Sequence, residues 1–446
     1  MKLRFLSLLG LAIICLLSAC QTGLDRQQTV EIMTKGDHFN GALNQLTDVI
    51  VHDIFSPPVA SRVYAYPCIA AYSTIQKVTP EMEDLGLILN GYSSAPDPKD
   101  TTNLSYEIAA LEAFFIVGKQ LIFSEDMMDE YTNSLYNDLD SLGISATMIS
   151  NSKKYGRVVA DHVLAWADKD NYKQSRSFTK FTITDNPAEW KPTPPAYMEG
   201  IEPHWREIRT MVLDSANQYL PAPPIAFDPD KNSPFYDLTL EVYEAVKDGT
   251  KDQIEIASFW DCNPYVMNQQ GHLMFATKKI TPGGHWMGIA GIASRTAEHN
   301  LAQTIHTATY VSIGLFEAFI ACWDEKYRSN LIRPETVINE FIDEEWVPLL
   351  QTPPFPEHTS GHSVASTAAA TILTVLMGQN FGYRDDVEVK YGLPARSYNS
   401  FEEAAEEASI SRLYGGIHYM PAITEGIKQG KSVGTFVAHK LKATKI

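Results

Sequence analysis

Three short stretches of this 446-residue chain carry side chains that together suit a small, multiply charged oxyanion. Pro353 to His362, PPFPEHTSGH, ends in Ser-Gly-His where the helical run VASTAAATILTVLM begins. Ser360 offers a hydroxyl, Gly361 opens its backbone N–H to close approach, and a helix N-terminus adds unpaired donors and partial positive charge. His362 adds a group that moves protons near neutral pH. An ordinary capped helix would read the same way, so the flanking segments decide. Upstream, WDEKYRSNLIRP sets Lys326 and Arg333 seven residues apart, two turns along nearly one helical face. Pro334 disfavours helical geometry at Arg333, so the helix should end there and the guanidinium should reach from a loop; a solvated helix end with favourable C-terminal charges is the plain alternative. Downstream, SRLYGGIHYMP holds Ser411, Arg412 and His418, with Gly415 and Gly416 where the chain can turn and bring Arg412 to His418.

In order along the chain, K-x6-RP, TSGH and SR-x5-H resemble the three-part signature shared by vanadium-dependent haloperoxidases and type 2 phosphatidic acid phosphatases. The likeness extends to SPPVASRVYAYPCIAAYSTI, PTPPAYMEGIEPHW, QYLPAPPIAFD and EIASFWDCNP, which look like soluble bacterial haloperoxidase-like proteins and spread it over most of the chain. It implies that Lys326, Arg333 and Arg412, with Ser360 and the Gly361 amide, neutralise the equatorial oxygens of vanadate or phosphate. By the same resemblance His418 is the apical ligand of vanadium, or the nucleophile, and His362 is the acid-base residue opposite. Trp323 and Phe355 fall where fungal-type chloroperoxidases place halide-pocket aromatics, although both also suit core packing. Two departures stand out. Thr359 replaces the usual Pro of PSGH, a mild change because Thr can itself serve as an N-cap. Ala422 occupies the position four after the final His where many members carry Asp, which should leave the His418 ring less well oriented and less basic. Glu425 is a nearby substitute, and Asp261 resembles a supporting carboxylate of some haloperoxidases.

A phosphate or vanadate trianion in a dry pocket is costly unless cations and N–H donors match it, and guanidinium forks pair two oxygens at once. For phosphomonoester cleavage His418 would attack in line and form a phosphohistidine, His362 would protonate the leaving oxygen, and no cofactor is needed. With vanadate as cofactor, the resemblance implies oxidation of a halide by hydrogen peroxide, with the metal as Lewis acid. A haloperoxidase is the preferred expectation and an acid phosphatase the alternative. A non-catalytic glycan- or nutrient-binding lipoprotein is disfavoured, because a sugar site has no need for three converging cations.

The elements that must hold these groups are helical. Runs such as LSYEIAALEAFFIVGKQLIF repeat apolar residues at three and four, alternating strand patterns are scarce, and the expectation is an all-α protein built of helical bundles. Residues 31–236 read as an N-terminal helical region whose Pro-rich segment 181–236 is covering loop, and 237–446 as the C-terminal bundle carrying the oxyanion site. The run from about 290 to 325 reads as one central buried helix with His299 and His306 as packing histidines. Ser400 with Glu403 reads as a capping box for the helix that delivers Arg412, and Pro421 opens the last helix.

Residues 1–19 have a basic start, an apolar run and Leu17-Ser18-Ala19 before Cys20, the pattern of a bacterial lipoprotein signal, so Cys20 should carry lipid after a 20–30 tether. The expected location is the bacterial cell envelope, periplasmic or outer-membrane, with the lipid as the only membrane contact. Removing residues 1–19 takes away Lys2 and Arg4 and no acid, moving the formal charge from −18 to −20, which speaks against nucleic-acid binding. Small molecules are the expected partners: peroxide and halide, or a phosphate ester. Cys68, Cys262 and Cys322 remain, with no spacing that suggests zinc; one disulfide or buried thiols are both open.

Overall fold

A computed structural model describes residues 24–270, 273–276 and 278–446; the expected signal sequence and Cys20 lie outside them. The N-terminal layer comprises α1 (Arg26–Met33), α2 (Asp37–His52), α3 (Pro57–Ile75), α4 (Tyr106–Lys119), α5 (Glu125–Ser141), α6 (Ala146–Ala167) and the single turn α7 (Tyr172–Ser175). Ser56 caps α3 by accepting from the Val59 amide at 3.3 Å, and Pro57 occupies its first turn, where a missing N–H costs nothing. Every residue of α3 is buried, and α4, α6 and α11 (Leu301–Ser329) pack against it. The C-terminal elements are α8 (Pro234–Lys247), α9 (Lys251–Phe259), α10 (Pro282–Thr296), α11, α12 (Pro334–Phe341), α13 (Gly361–Met377), α14 (Phe401–Tyr414) and α15 (Met420–Lys440). Among the described residues the only paired strands are two antiparallel hairpins, β1 (Met267–Gln270) with β2 (Leu273–Ala276) and β3 (Tyr383–Asp385) with β4 (Arg396–Tyr398). The architecture is therefore helical, as expected.

The run expected as one helix from about 290 to 325 is two. α10 stops at Thr296, Glu298 adopts a φ of 54°, and Asn300 opens α11 with a reciprocal capping box to Gln303. α11 is long and apolar enough to cross a membrane, yet it is buried within the molecule and packs against α3, α10, α13 and α15. It is the strut between the N-terminal layer and the site. α13 and α15 approach backbone to side chain along Gly426, Gly430 and Gly434, a stripe at i, i+4, i+8 on α15. A Cβ at Gly430 would sit 2.4 Å from the Val364 carbonyl and one at Gly434 2.7 Å from the Ala368 carbonyl, so larger residues would force the helices apart.

Residues 181–233 form a strap with one 3-10 turn, Trp205–Glu207, and no longer helix. It is fastened rather than loose: Trp323 and Tyr327 donate to the Ile201 carbonyl at 3.1 and 2.6 Å, and the Met211, Val212 and Leu213 amides donate to the buried Glu317 carboxylate. One hydrophobic core runs from Met33 in α1 to Leu441 after α15. Cys68, Cys262 and Cys322 are buried free thiols. Of the helix-borne histidines, His306 meets Tyr310 edge-on with centroids 4.1 Å apart and burial pushes it down to about 4; His299 is buried beside Ile446. Both pack the core and hold no ligand set.

Candidate active site

Ser360 is the N-cap of α13, its side chain accepting from the Ser363 amide at 3.3 Å and the Ser363 hydroxyl at 2.9 Å. That leaves the Ser360 hydroxyl hydrogen free to donate. Gly361 and His362 follow in the first turn and line a small cavity of about 30 Å³, together with Arg412, His418, Trp323, Phe355, Cys262 and Tyr265. A Cβ on Gly361 would occupy the cradle between Trp323, at 3.6 Å, and the Lys326 Cε, at 3.9 Å. Glycine there keeps the space over the lysine open.

Lys326 and Arg333 are fully buried just behind this lining. They do not share one helix: α11 ends at Asn330, which takes a left-handed φ of 46°, and Arg333 is the extended residue before Pro334, the first residue of α12. Pro334 thus begins a helix as well as barring Arg333 from one. The Lys326 ammonium donates to the Pro356 and Glu357 carbonyls at 2.9 and 3.1 Å. Arg333 donates Nε–H to the Phe355 carbonyl at 2.8 Å and one terminal N–H to the Ile417 carbonyl at 2.8 Å, lies 3.2 Å from His418 Nε2, and leaves its other terminal nitrogen with no partner. α14 delivers Arg412, which donates to Ser411 Oγ at 2.9 Å and to the Trp260 carbonyl at 2.7 Å. Gly415 ends that helix and Gly416, at φ 77°, turns the chain so that His418 comes back beside Arg333. Ser400 caps α14 as expected, but Glu403 reaches back to the Asn399 amide at 2.6 Å rather than to Ser400.

The electrostatics follow from burial. Desolvation pushes Lys326 down to about 7 and Arg333 down to about 10, and it lowers Arg412 too, where Asp261 pulls the other way. Burial, then the neighbouring cations, holds His362 and His418 well below the usual imidazole range. Both rings are therefore neutral at pH 7, and His362 keeps a buried Nε2 with no partner. The site keeps a buried guanidinium N–H that the protein's own residues leave without an acceptor. An anion with several acceptor oxygens meets the orphaned Arg333 N–H, the free Ser360 hydroxyl and the α13 N-terminus at once, so the residues present fit vanadate or phosphate.

The expectation that Ala422 leaves His418 poorly oriented does not hold. Glu357 takes the part of the missing Asp from a different stretch of chain: its carboxylate lies 2.8 Å from His418 Nδ1 and accepts the Tyr419 amide at 3.0 Å. With Nδ1–H donating to a carboxylate, Nε2 keeps its lone pair. Burial raises Glu357 to about 7 against the pull of Arg333 and Lys326. Ala422 has a backbone task instead, its carbonyl accepting the Ser360 amide at 3.0 Å. Glu425 turns outward to Lys428 and the Ala222 amide, and Asp261 pairs with Lys279 beside Arg412. The one signal for Glu357 was an acid inside the Pro-rich PPFPEH, three residues before the motif Ser. Trp323 and Phe355 pack with ring centroids 5.0 Å apart at the pocket wall, and the Lys326 ammonium lies 4.9 Å from the Phe355 ring.

Residues 306–444 match the VCPO second helical-bundle domain. No curated protein matches the chain. Among solved structures, a bacterial vanadium-dependent iodoperoxidase is 50% identical, with 93% of this chain and 98% of that chain covered and a TM-score of 0.87. Bacterial vanadium-dependent chloroperoxidases in apo and holo forms share the fold at 15% identity, with TM-scores of 0.66 and 0.64, 87% of this chain and 94% and 93% of theirs covered. With a 50% identical relative matched along nearly its whole length, and Gly361, His362, Arg412 and His418 lining one pocket, the chain belongs to the vanadium-dependent haloperoxidases, a family of enzymes.

Proposed function

We propose that this protein oxidises iodide with hydrogen peroxide, using vanadate held in the α13 pocket. The carrying observation is the cluster of three buried cations, Lys326, Arg333 and Arg412, around a helix N-terminus with His418 at its side. Iodide is the first choice of halide because the 50% identical relative is an iodoperoxidase. Lys326, Arg333, Arg412, Ser360 and the Gly361 amide would hold the oxyanion, and His418 would offer it Nε2. Bound vanadate would supply a Lewis-acid centre that activates peroxide toward the halide. The protein's own work is then to fix, shield and move protons. Glu357 holds the His418 tautomer, Arg333 holds its ring, and the neutral His362, on the first turn of α13, would accept a proton from peroxide and give it back. Trp323 and Phe355 wall the pocket with apolar surface, which favours a large, weakly hydrated halide.

The test loads metal-free protein with vanadate and follows triiodide formation and bromination with peroxide, alongside p-nitrophenyl phosphate hydrolysis without vanadate. Iodide turnover that depends on vanadate and disappears in His418→Ala is expected. Phosphate ester hydrolysis with no halide oxidation would replace the proposal with an acid phosphatase.

We further propose that the chain is exported to the bacterial cell envelope and anchored by lipid on Cys20. The apolar run ending in Leu-Ser-Ala-Cys supports it. Radiolabelled palmitate should enter the wild type and not Cys20→Ser; equal labelling of both would refute the anchor.

A further inference from the structure

Beside the oxyanion pocket lies a second cluster that halide oxidation does not use: Cys262, His285, Glu388 and Asp385. A loop, a helix start and the stretch at the end of β3 bring it together, from positions up to 126 residues apart. Cys262 follows α9, His285 sits in the first turn of α10, and Asp385 and Glu388 flank the end of β3. His285 is 0% and Cys262 1% exposed. Among the described residues this is the one group of His, Cys and acidic side chains whose donor atoms converge closely enough to hold a metal ion.

We propose that Cys262 Sγ, His285 Nδ1 and Glu388 Oε1 form a zinc site, with Asp385 as the carboxylate that orients the histidine. The triangle of donors measures 3.2 Å from Nδ1 to Oε1, 3.5 Å from Nδ1 to Sγ and 3.8 Å from Sγ to Oε1. Tetrahedral zinc with ordinary Zn–N, Zn–O and Zn–S bond lengths requires donor separations of roughly 3.3 to 3.7 Å, so the donors already stand at the needed spacing. Zinc-bound histidine usually gives its other N–H to a carboxylate, and here His285 Nε2 meets Asp385 Oδ2 at 2.8 Å. One thiolate, one imidazole and one carboxylate suit a borderline-soft, tetrahedral ion better than calcium or magnesium. Binding requires Cys262 to give up its thiol proton and His285 to present the Nδ1 lone pair, so protons leave as the ion enters. Cys262 also lines the oxyanion pocket, from which a water can supply the fourth ligand.

The site has a mechanical link to the first one. The Trp260 ring stacks on His285 with centroids 4.5 Å apart, and the Trp260 carbonyl accepts from Arg412. A metal that fixes His285 fixes the floor on which Arg412 rests.

The test uses the full chain carrying no histidine tag and needs no vanadate, so its outcome is separate from that of the peroxidase proposal. Elemental analysis after dialysis should find about one zinc per chain. Replacement by Co²⁺ should give the near-ultraviolet thiolate-to-cobalt band and the visible bands of a tetrahedral site. Cys262→Ser should lose the near-ultraviolet band and Cys68→Ser should keep it. Folded wild-type protein that holds no zinc and shows no band with Co²⁺ would leave the cluster as an ionic hydrogen-bond network and overturn the site, as would a band that survives in Cys262→Ser.

Discussion

Arg62 in α3 and Arg333 before α12 are both buried, at 5% and 0% exposure, and the molecule treats them in opposite ways. Arg62 is complete. Its Nε lies 2.6 Å from Asp170 Oδ2, its guanidinium stacks 4.5 Å from the Tyr172 ring, and Asp170 is itself held by the Tyr66 hydroxyl and the Tyr172 amide. Arg333 rests on two backbone carbonyls and a neutral histidine and keeps a terminal nitrogen unpaired. A buried cation paired directly with a carboxylate holds a fold together; one that feels carboxylates only at a distance and keeps an N–H without an acceptor is a binding site. The same chemistry does both jobs, and the difference lies in which partner was left out.

The widest gap between the two should appear when each is broken. Asp170→Ala strands the Arg62 charge and should cost roughly 3 to 5 kcal/mol of stability, while vanadate still raises the melting temperature of whatever folds. Arg333→Met should do the reverse, keeping or improving stability without ligand and abolishing the vanadate-dependent rise. Denaturant melts with and without vanadate read both quantities. Arg333→Met protein that unfolds like Asp170→Ala yet still responds to vanadate would erase the distinction.

Much of this was legible because the site's cations and histidines sit in short segments with local consequences. Ser360 caps its helix, Pro334 bars helix at Arg333, and Gly415-Gly416 turns the chain between Arg412 and His418; each effect is written within a few residues. What escaped is tertiary. Glu357 meets His418 across 61 residues and no periodicity points to it. Cys262, His285 and Glu388 have no motif spacing, since separate elements deliver them. The break between α10 and α11 was local and still missed: the apolar, alanine-rich run concealed the Asn300 and Gln303 cap, a signal as plain as the one at Ser400.

The carboxylates sharpen the comparison at smaller magnitude. Glu317 and Glu357 are both fully buried and both raised to about 7 by desolvation. Glu317 accepts three strap amides and touches no catalytic group, whereas Glu357 serves His418. Glu357→Gln should weaken vanadate binding by about 10- to 100-fold, the usual cost of losing such a support, with little change in melting. Glu317→Gln should lower stability by about 1 to 3 kcal/mol and leave vanadate affinity intact. Equal effects on affinity from the two would show that Glu357 acts only as packing.

The finest distinction concerns protons. Lys326 sits at about 7 against an ordinary 10.5 because burial disfavours its charge. Between those values the unfolded chain binds the proton and the folded chain does not, so this group makes the anion-free protein more stable as pH rises from about 7 toward 10.5. A bound anion restores the charge, so above about pH 7 binding takes up a proton and affinity falls with pH, by at most about tenfold per unit. Sulfate keeps a constant charge across this range and isolates the protein's contribution. Calorimetric titration with sulfate between pH 6 and 9 should show affinity declining above 7 in the wild type and a flatter profile in Lys326→Met. A flat wild-type profile would mean that the lysine stays charged without its ligand, and that the carbonyls of Pro356 and Glu357 alone suffice to hold an ammonium in the core.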